Sequence, residues 1–95
     1  MTSPDLARPE SPRFASSSNA LSTDAEMILP LRHGRIGALI RNTDASITVY
    51  IGDAAVNSSQ FSLPAGASLT ITSVLPVFAV AASGTPTIAI FEEYA

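Results

Sequence analysis

The fold is decided by residues 63–73, which read LPAGASLTITS. Pro64 presets φ at the second position of a tight turn, and Gly66 closes that turn at its fourth position. Over the last six residues apolar and polar side chains alternate, so that Leu69 and Ile71 fall on the same side. Because successive side chains of a strand point to opposite faces of a sheet, this alternation predicts a half-buried β-strand directly after a turn.

Short runs of β-branched residues separated by turn residues continue on both sides of this stretch, from residue 26 onward. None of these runs has the length and spacing of an ordinary amphipathic helix. The pattern is typical of an all-β fold, and we predict a small β-sandwich or barrel of six to eight antiparallel strands. The predicted strands cover residues 27–31, 36–41, 47–51, 60–63, 68–73, 77–82 and 87–91.

Two strand pairs are predicted to be hairpins, 36–41 with 47–51 and 77–82 with 87–91. Residues 42–45 read NTDA and should form the first turn, because Asn and Asp bond to their own backbone and tolerate left-handed geometry. Residues 83–86 read SGTP and should form the second turn. At a period of two, the side chains expected to face the core together from the first strand are Ile36, Ala38 and Ile40.

The first 22 residues differ in composition from the rest of the chain. They contain three prolines and six serines, and their large apolar side chains after Met1 are Leu6, Phe14 and Leu21. Such a segment buries too little apolar area to offset an ordering cost of about 1–2 kcal/mol per residue. We therefore predict an extended N-terminal arm over residues 1–22, held by a partner or a neighbouring subunit, and a β-sandwich domain over residues 23–95.

Length and composition exclude several classes of protein. A chain of 95 residues, 46% hydrophobic and 14% charged, can build one small core. Its net charge of −3 argues against a nucleic-acid-binding protein, and the absence of cysteine excludes disulfides, zinc ribbons and thiol nucleophiles. No targeting segment is visible, and the longest weakly polar stretch, residues 74–82, is about half the length that crosses a bilayer. We expect no membrane partner.

The chain offers little that could carry out catalysis. His33 is its single histidine, and no nucleophile motif surrounds any of the serines. The acidic residues are scattered, and Glu92 and Glu93 are adjacent, so on a strand they point to opposite faces. We therefore expect no catalytic residue, no metal site, no cofactor and no small-molecule substrate. A carbohydrate-binding module stays open as an alternative, although the chain has no Trp and two Tyr for stacking on sugars.

Four segments together resemble a known pattern. They are IRNT at residues 40–43, ITVYIG at 47–52, FSLPAGASL at 61–69 and VFAVAASGT at 77–85. Over residues 36–93 the chain resembles the small β-sandwich virion proteins of tailed bacteriophages, of the capsid decoration (cement) or head-fibre-base type. The resemblance implies a structural protein on the outer capsid surface that binds major capsid protein subunits and has no catalytic residue. It leaves a tail, collar or baseplate accessory protein as an alternative.

The distribution of charge suggests which part of the chain meets the capsid. Residues 1–35 contain four Arg and four acidic residues, whereas residues 36–95 contain one Arg and four acidic residues. We expect the arm and the Arg32–Arg35 loop to face the capsid and the acidic body to face solvent or a sister subunit, in a homotrimer on a local or icosahedral threefold axis. The candidate partner-binding residues are Leu6, Arg8, Arg13, Phe14, Arg32 and Arg35.

Overall fold

In a computed structural model, which describes residues 13–95, the protein is a β-sandwich of two four-stranded antiparallel sheets. Sheet A has the strand order β1-β8-β3-β6, and sheet B has the order β2-β7-β4-β5. The eight strands are β1 Arg13–Ala20, β2 Glu26–Leu29, β3 Arg35–Asn42, β4 Val49–Gly52, β5 Phe61–Leu63, β6 Ser68–Ile71, β7 Val77–Ala81 and β8 Thr87–Tyr94. The predicted all-β class and strand number are therefore confirmed. Residues 13–95 contain no helix long and apolar enough to cross a membrane.

The core lies between the two sheets and is built from alternate residues of the strands. Ile40 and Ile88 project inward from sheet A, and Val49 and Ala79 project inward from sheet B, all without accessible surface. Leu69 and Ile71 of β6 pack against this core, as the alternation around them predicted. Burial of aliphatic side chains between two pleated faces is the main stabilising contribution in such a fold.

The two predicted hairpins are wrong. β3 and β4 lie in different sheets, and so do β7 and β8. The connection after β3 crosses from sheet A to sheet B, and Asn42, the last residue of β3, is fully buried where the crossing begins. Its Nδ2 donates to the carbonyls of Ile47 and Leu63, at 2.8 and 2.9 Å, and its Oδ1 accepts from the amide of Asp44 at 3.0 Å. Asn42 thus holds an arch that joins the sheets.

The face assigned to Ile36 was also wrong. Its side chain is 48% exposed, because the pairing of β3 with β8 shifts between Arg35 and Gly37. This bulge inserts an extra residue, so that Arg35 and Ala38 both face inward and Ile36 is turned outward. Ala38 and Ile40 are buried as predicted.

Part of the predicted arm belongs to the sandwich. All eight residues of β1 pair with β8, from Arg13 opposite Tyr94 to Ala20 opposite Thr87. Leu21 follows as a core residue, and its amide donates to the Pro86 carbonyl at 2.8 Å. The structure therefore places residues 13–21 in the folded body, where the sequence suggested one arm up to residue 22. The rest of the predicted arm, including Leu6 and Arg8, lies outside the described residues.

Candidate interaction surface on sheet A

The outer face of sheet A carries an exposed apolar cluster that extends toward the end where β1 begins. Directly paired residues of antiparallel strands lie on the same face, which aligns Ser16, Phe91 and Leu39 in one row across β1, β8 and β3. Phe14 lies in the next row, opposite Glu93. Phe14, Phe91 and Leu39 are 61%, 48% and 43% exposed, and we call these three residues the apolar cluster.

Two aromatic rings of the apolar cluster hold each other in place. The ring centroids of Phe14 and Phe91 are 5.2 Å apart, and the ring planes are inclined by 19°. A shallow cavity of about 200 Å³ lies beside them, with Leu39, Phe91 and Thr70 in its lining. Gly37 contributes no side chain at its rim. A flat aromatic surface next to a shallow depression is suited to receive an apolar side chain of another protein.

A group of charged residues lies at the end of the sandwich where β1 begins and β8 ends. The Arg35 side chain is fully buried, and its Nε donates to Glu92 Oε2 at 2.8 Å. Its Nη1 donates to the carbonyls of Ser73 and Leu75 at 3.0 and 3.1 Å, and its Nη2 donates to the Pro30 carbonyl. Arg35 therefore ties β3 to β8 and to two loops.

Arg32 lies above the same carboxylate and reaches the surface. Its Nε is 2.9 Å from Glu92 Oε2, its side chain is 34% exposed, and its guanidinium carbon lies 4.0 Å from the centroid of the Tyr94 ring. Arg13 is paired with Tyr94 across the β1–β8 ladder. Glu92 lies between Arg35 and Arg32, and Glu93 lies opposite Phe14 beside the apolar cluster, so three arginines and two glutamates meet at this end of the molecule.

Three of the candidate partner-binding residues lie close together in the structure, and a fourth is buried and cannot contact a partner. Arg13, Phe14 and Arg32 lie at the same end of the sandwich, through β1, β8 and the loop before β3. Arg35 is corrected from a partner contact to an interior residue, because its donors are directed at Glu92 and at backbone carbonyls. Leu6 and Arg8 lie outside the described residues.

Leu39 and Phe91 are not among the candidate residues predicted from the sequence. For Leu39 a signal was present in the sequence, because it lies between Ala38 and Ile40, which the period-two alternation predicts to face the core. Phe91 had no comparable signal, since a large aromatic residue in a strand is more often buried. Its place in the surface depends on β1, which brings Phe14 beside it.

The imidazole of His33 and the carboxyl group of Asp44 lie outside this surface and do not form a catalytic or metal-binding group within residues 13–95. His33 is exposed in the turn before β3. Within residues 13–95, no three or more His, Asp or Glu residues are grouped so as to hold a metal ion. The amides of Ser46 and Ile47 donate to Asp44 Oδ2 at 3.0 and 2.8 Å, and these hydrogen bonds lower the pKa of the Asp44 carboxyl group. Asp44 thus organises the arch after β3.

A second apolar opening lies between the sheets at the β5/β6 side. It has a volume of about 340 Å³, and its lining includes Phe61, Leu69 and Val77. It is separate from the apolar cluster, which lies on the outer face of sheet A.

Comparisons with known proteins identify no relative. The chain matches no family model, no curated protein and no solved structure. We therefore infer function from the surface of sheet A and from the resemblance of residues 36–93 to virion β-sandwich proteins.

Proposed function

We propose that the protein is a structural component of the virion of a tailed bacteriophage, which decorates the outer capsid surface and stabilises it by binding the major capsid protein. The observation that carries the proposal is the apolar cluster on the outer face of sheet A. The resemblance over residues 36–93 supplies the class of partner, and the apolar cluster supplies the surface through which that partner is bound. The protein acts by binding and needs no catalytic group or cofactor.

The apolar cluster can supply a useful part of the binding free energy. Full burial of a Phe or Leu side chain contributes about 1.5–3 kcal/mol. Phe14, Phe91 and Leu39 are about half exposed, so covering them adds about 1 kcal/mol each. The stacking of the two rings lowers the entropic cost of binding, because both side chains are already ordered. Aromatic residues of this kind often dominate protein interfaces.

Charge supports an orientation in which the β1 end of sheet A faces the capsid. Arg13 and the exposed part of Arg32 lie at this end and can pair with acidic groups of the capsid protein. Glu92 takes no part in this contact, since it is buried against Arg35. Glu93 lies beside Phe14 on the binding face, so the orientation also requires a basic or hydrogen-bond-donating group of the capsid protein opposite Glu93. Contacts of Arg13 and Arg32 should weaken as salt rises, whereas contacts of the apolar cluster should not.

The test is reattachment of purified protein to virus particles that lack it. The variant Phe14→Ser/Phe91→Ser should lower the affinity at least tenfold, because about 2 kcal/mol of apolar burial is lost. Phe61→Ser is the control, since the exposure of Phe61, 54%, lies between those of Phe14 and Phe91 but Phe61 is on sheet B, and this variant should bind as the unchanged protein does.

Two results would contradict the proposal. One is full occupancy by the Phe14→Ser/Phe91→Ser variant, and the other is failure of the unchanged protein to bind particles. Recovery of the protein on isolated tails and not on heads would favour the tail, collar or baseplate alternative.

A further inference from the structure

We propose that β1 pairs in an antiparallel direction with β1 of a second copy of this chain, so that two copies of sheet A become one continuous eight-stranded sheet. This contact goes beyond the proposed virion role and does not depend on it. It is carried by the outer edge of β1, which no other strand of residues 13–95 covers and which we call the free edge, by the composition of that edge and by the position of its one charge.

The free edge of β1 can be assigned residue by residue. The Leu21 amide donates to the Pro86 carbonyl, and the pairing of β1 with β8 runs without a shift from there to Arg13. Because the hydrogen-bonding direction alternates along an antiparallel strand, the odd-numbered residues of β1 bond to β8. The residues whose N–H and C=O groups point away from sheet A are Phe14, Ser16, Ser18 and Ala20.

β1 is the one described sheet edge that lacks protection against strand pairing. β2 and β6 have four residues each and β5 has three, β2 contains a pairing irregularity, and Pro30 and Pro64 follow β2 and β5. In contrast, β1 has eight residues, a regular register, no proline and no charge after Arg13. Natural proteins usually shorten, bulge or charge their free edges, so an edge of this kind is expected to be occupied.

The sequence of β1 is complementary to itself in the antiparallel direction. With the twofold axis at Ser17, Ser16 faces the second copy's Ser18, and Phe14 faces the second copy's Ala20. Even-numbered residues then share the outer face in both copies, and Phe14 is enclosed between Phe91 and a small side chain. The small residues at the centre allow the two strands to approach without steric conflict.

Charge favours the same arrangement. The two Arg13 side chains lie at opposite ends of the paired strands, about 26 Å apart at about 3.3 Å per residue, well beyond the screening length of about 8 Å. Each Arg13 lies next to the second copy's Leu21, from which that chain continues to Asp24 and Glu26. A parallel pairing in register would instead place the two Arg13 side chains side by side.

The pairing stops at two copies, because each copy has one free β1 edge and the second copy's β1 occupies it. This differs from the homotrimer that the sequence suggested. Sedimentation equilibrium of the full chain separates the two, since a dimer has twice the 9.8 kDa mass of the chain.

Two double variants test the register. Ser16→Glu/Ser18→Glu places like charges opposite each other across the twofold axis, and we expect it to weaken dimerisation at least tenfold. Ser16→Lys/Ser18→Glu places opposite charges there and should remain dimeric, which makes it the matched control. Circular dichroism and thermal unfolding of both variants verify that the sandwich itself is intact. A monomeric or trimeric unchanged protein would overturn the proposal, and so would equal dimerisation of the two folded double variants.

Discussion

Replacement of Arg35 by Met tests the buried charged group that joins β3 to β8. The substitution removes a guanidinium whose side chain has no accessible surface and which donates to Glu92 and to three backbone carbonyls. Met fills much of the same volume, so the loss comes mainly from the unpaired carboxylate and carbonyl groups and not from a cavity.

The size of the effect follows from these contacts. Removal of one partner from a buried ion pair costs about 3–5 kcal/mol. Arg32 stays 2.9 Å from Glu92 Oε2 and compensates part of the charge, so we expect a loss of about 3 kcal/mol, at the lower end of that range. For a small domain with a urea dependence of about 1.5 kcal/mol per M, this lowers the unfolding midpoint by roughly 2 M.

The assay is equilibrium unfolding in urea, with Arg41→Met as the matched control. Arg41 lies on the same strand but is exposed, and its replacement should change stability by less than about 0.5 kcal/mol. If Arg35→Met is too unstable to purify, Glu92→Gln serves instead. It keeps the size of the side chain and should cost about 1.5–3 kcal/mol, the value of a hydrogen bond to a charged group. Equal midpoints for the Arg35 and Arg41 variants would refute the reasoning.

Two further predictions concern the arch that follows β3 and the turn that precedes β3. Asp44 has a pKa below its ordinary 3.8 in the folded protein, so its contribution to stability is complete above about pH 5 and is lost as the pH falls through the lowered pKa. Unfolding of Asp44→Asn should therefore show reduced stability at pH 7 and no difference from the unchanged protein at the acid end; a constant difference would contradict this. Gly34→Ala should cost about 1–3 kcal/mol in thermal unfolding, because its Cβ would lie 2.5 Å from the Ala95 carbonyl oxygen. Gly37→Ala is the control and should be tolerated, since its Cβ would meet nothing closer than 3.7 Å.

The strands could be predicted from the sequence far better than their pairing. Alternation at period two shows which side chains share a face, and it placed β6 correctly from Leu69 and Ile71. It does not show which sheet a strand joins. At the crossing after β3, Asn42 donates to the Leu63 carbonyl 21 positions later in the chain, and a pattern read in a local window cannot include that hydrogen bond.

The candidate surface could be predicted only in part, because some of its residues are placed by partners that are distant in the sequence. Phe14 was recognised because an isolated aromatic residue stands out in a Ser- and Pro-rich segment. The burial of Arg35 could not be read locally, because its carboxylate partner Glu92 lies 57 positions later in the chain. Without that partner, an arginine in a polar loop is expected at the surface.

The position of β8 in sheet A has a consequence for how the chain folds. β8 lies between β1 and β3, and both of these strands precede it in sequence. Ala20 pairs with Thr87, 67 positions later, so a ribosome adding about 5–20 residues per second needs about 3–13 s between the two. Strand pairs this distant make folding slow, in the range of milliseconds to seconds once the chain is complete. During synthesis β1 and β3 are therefore present before β8, the strand that lies between them, and sheet A forms only after β8 has emerged.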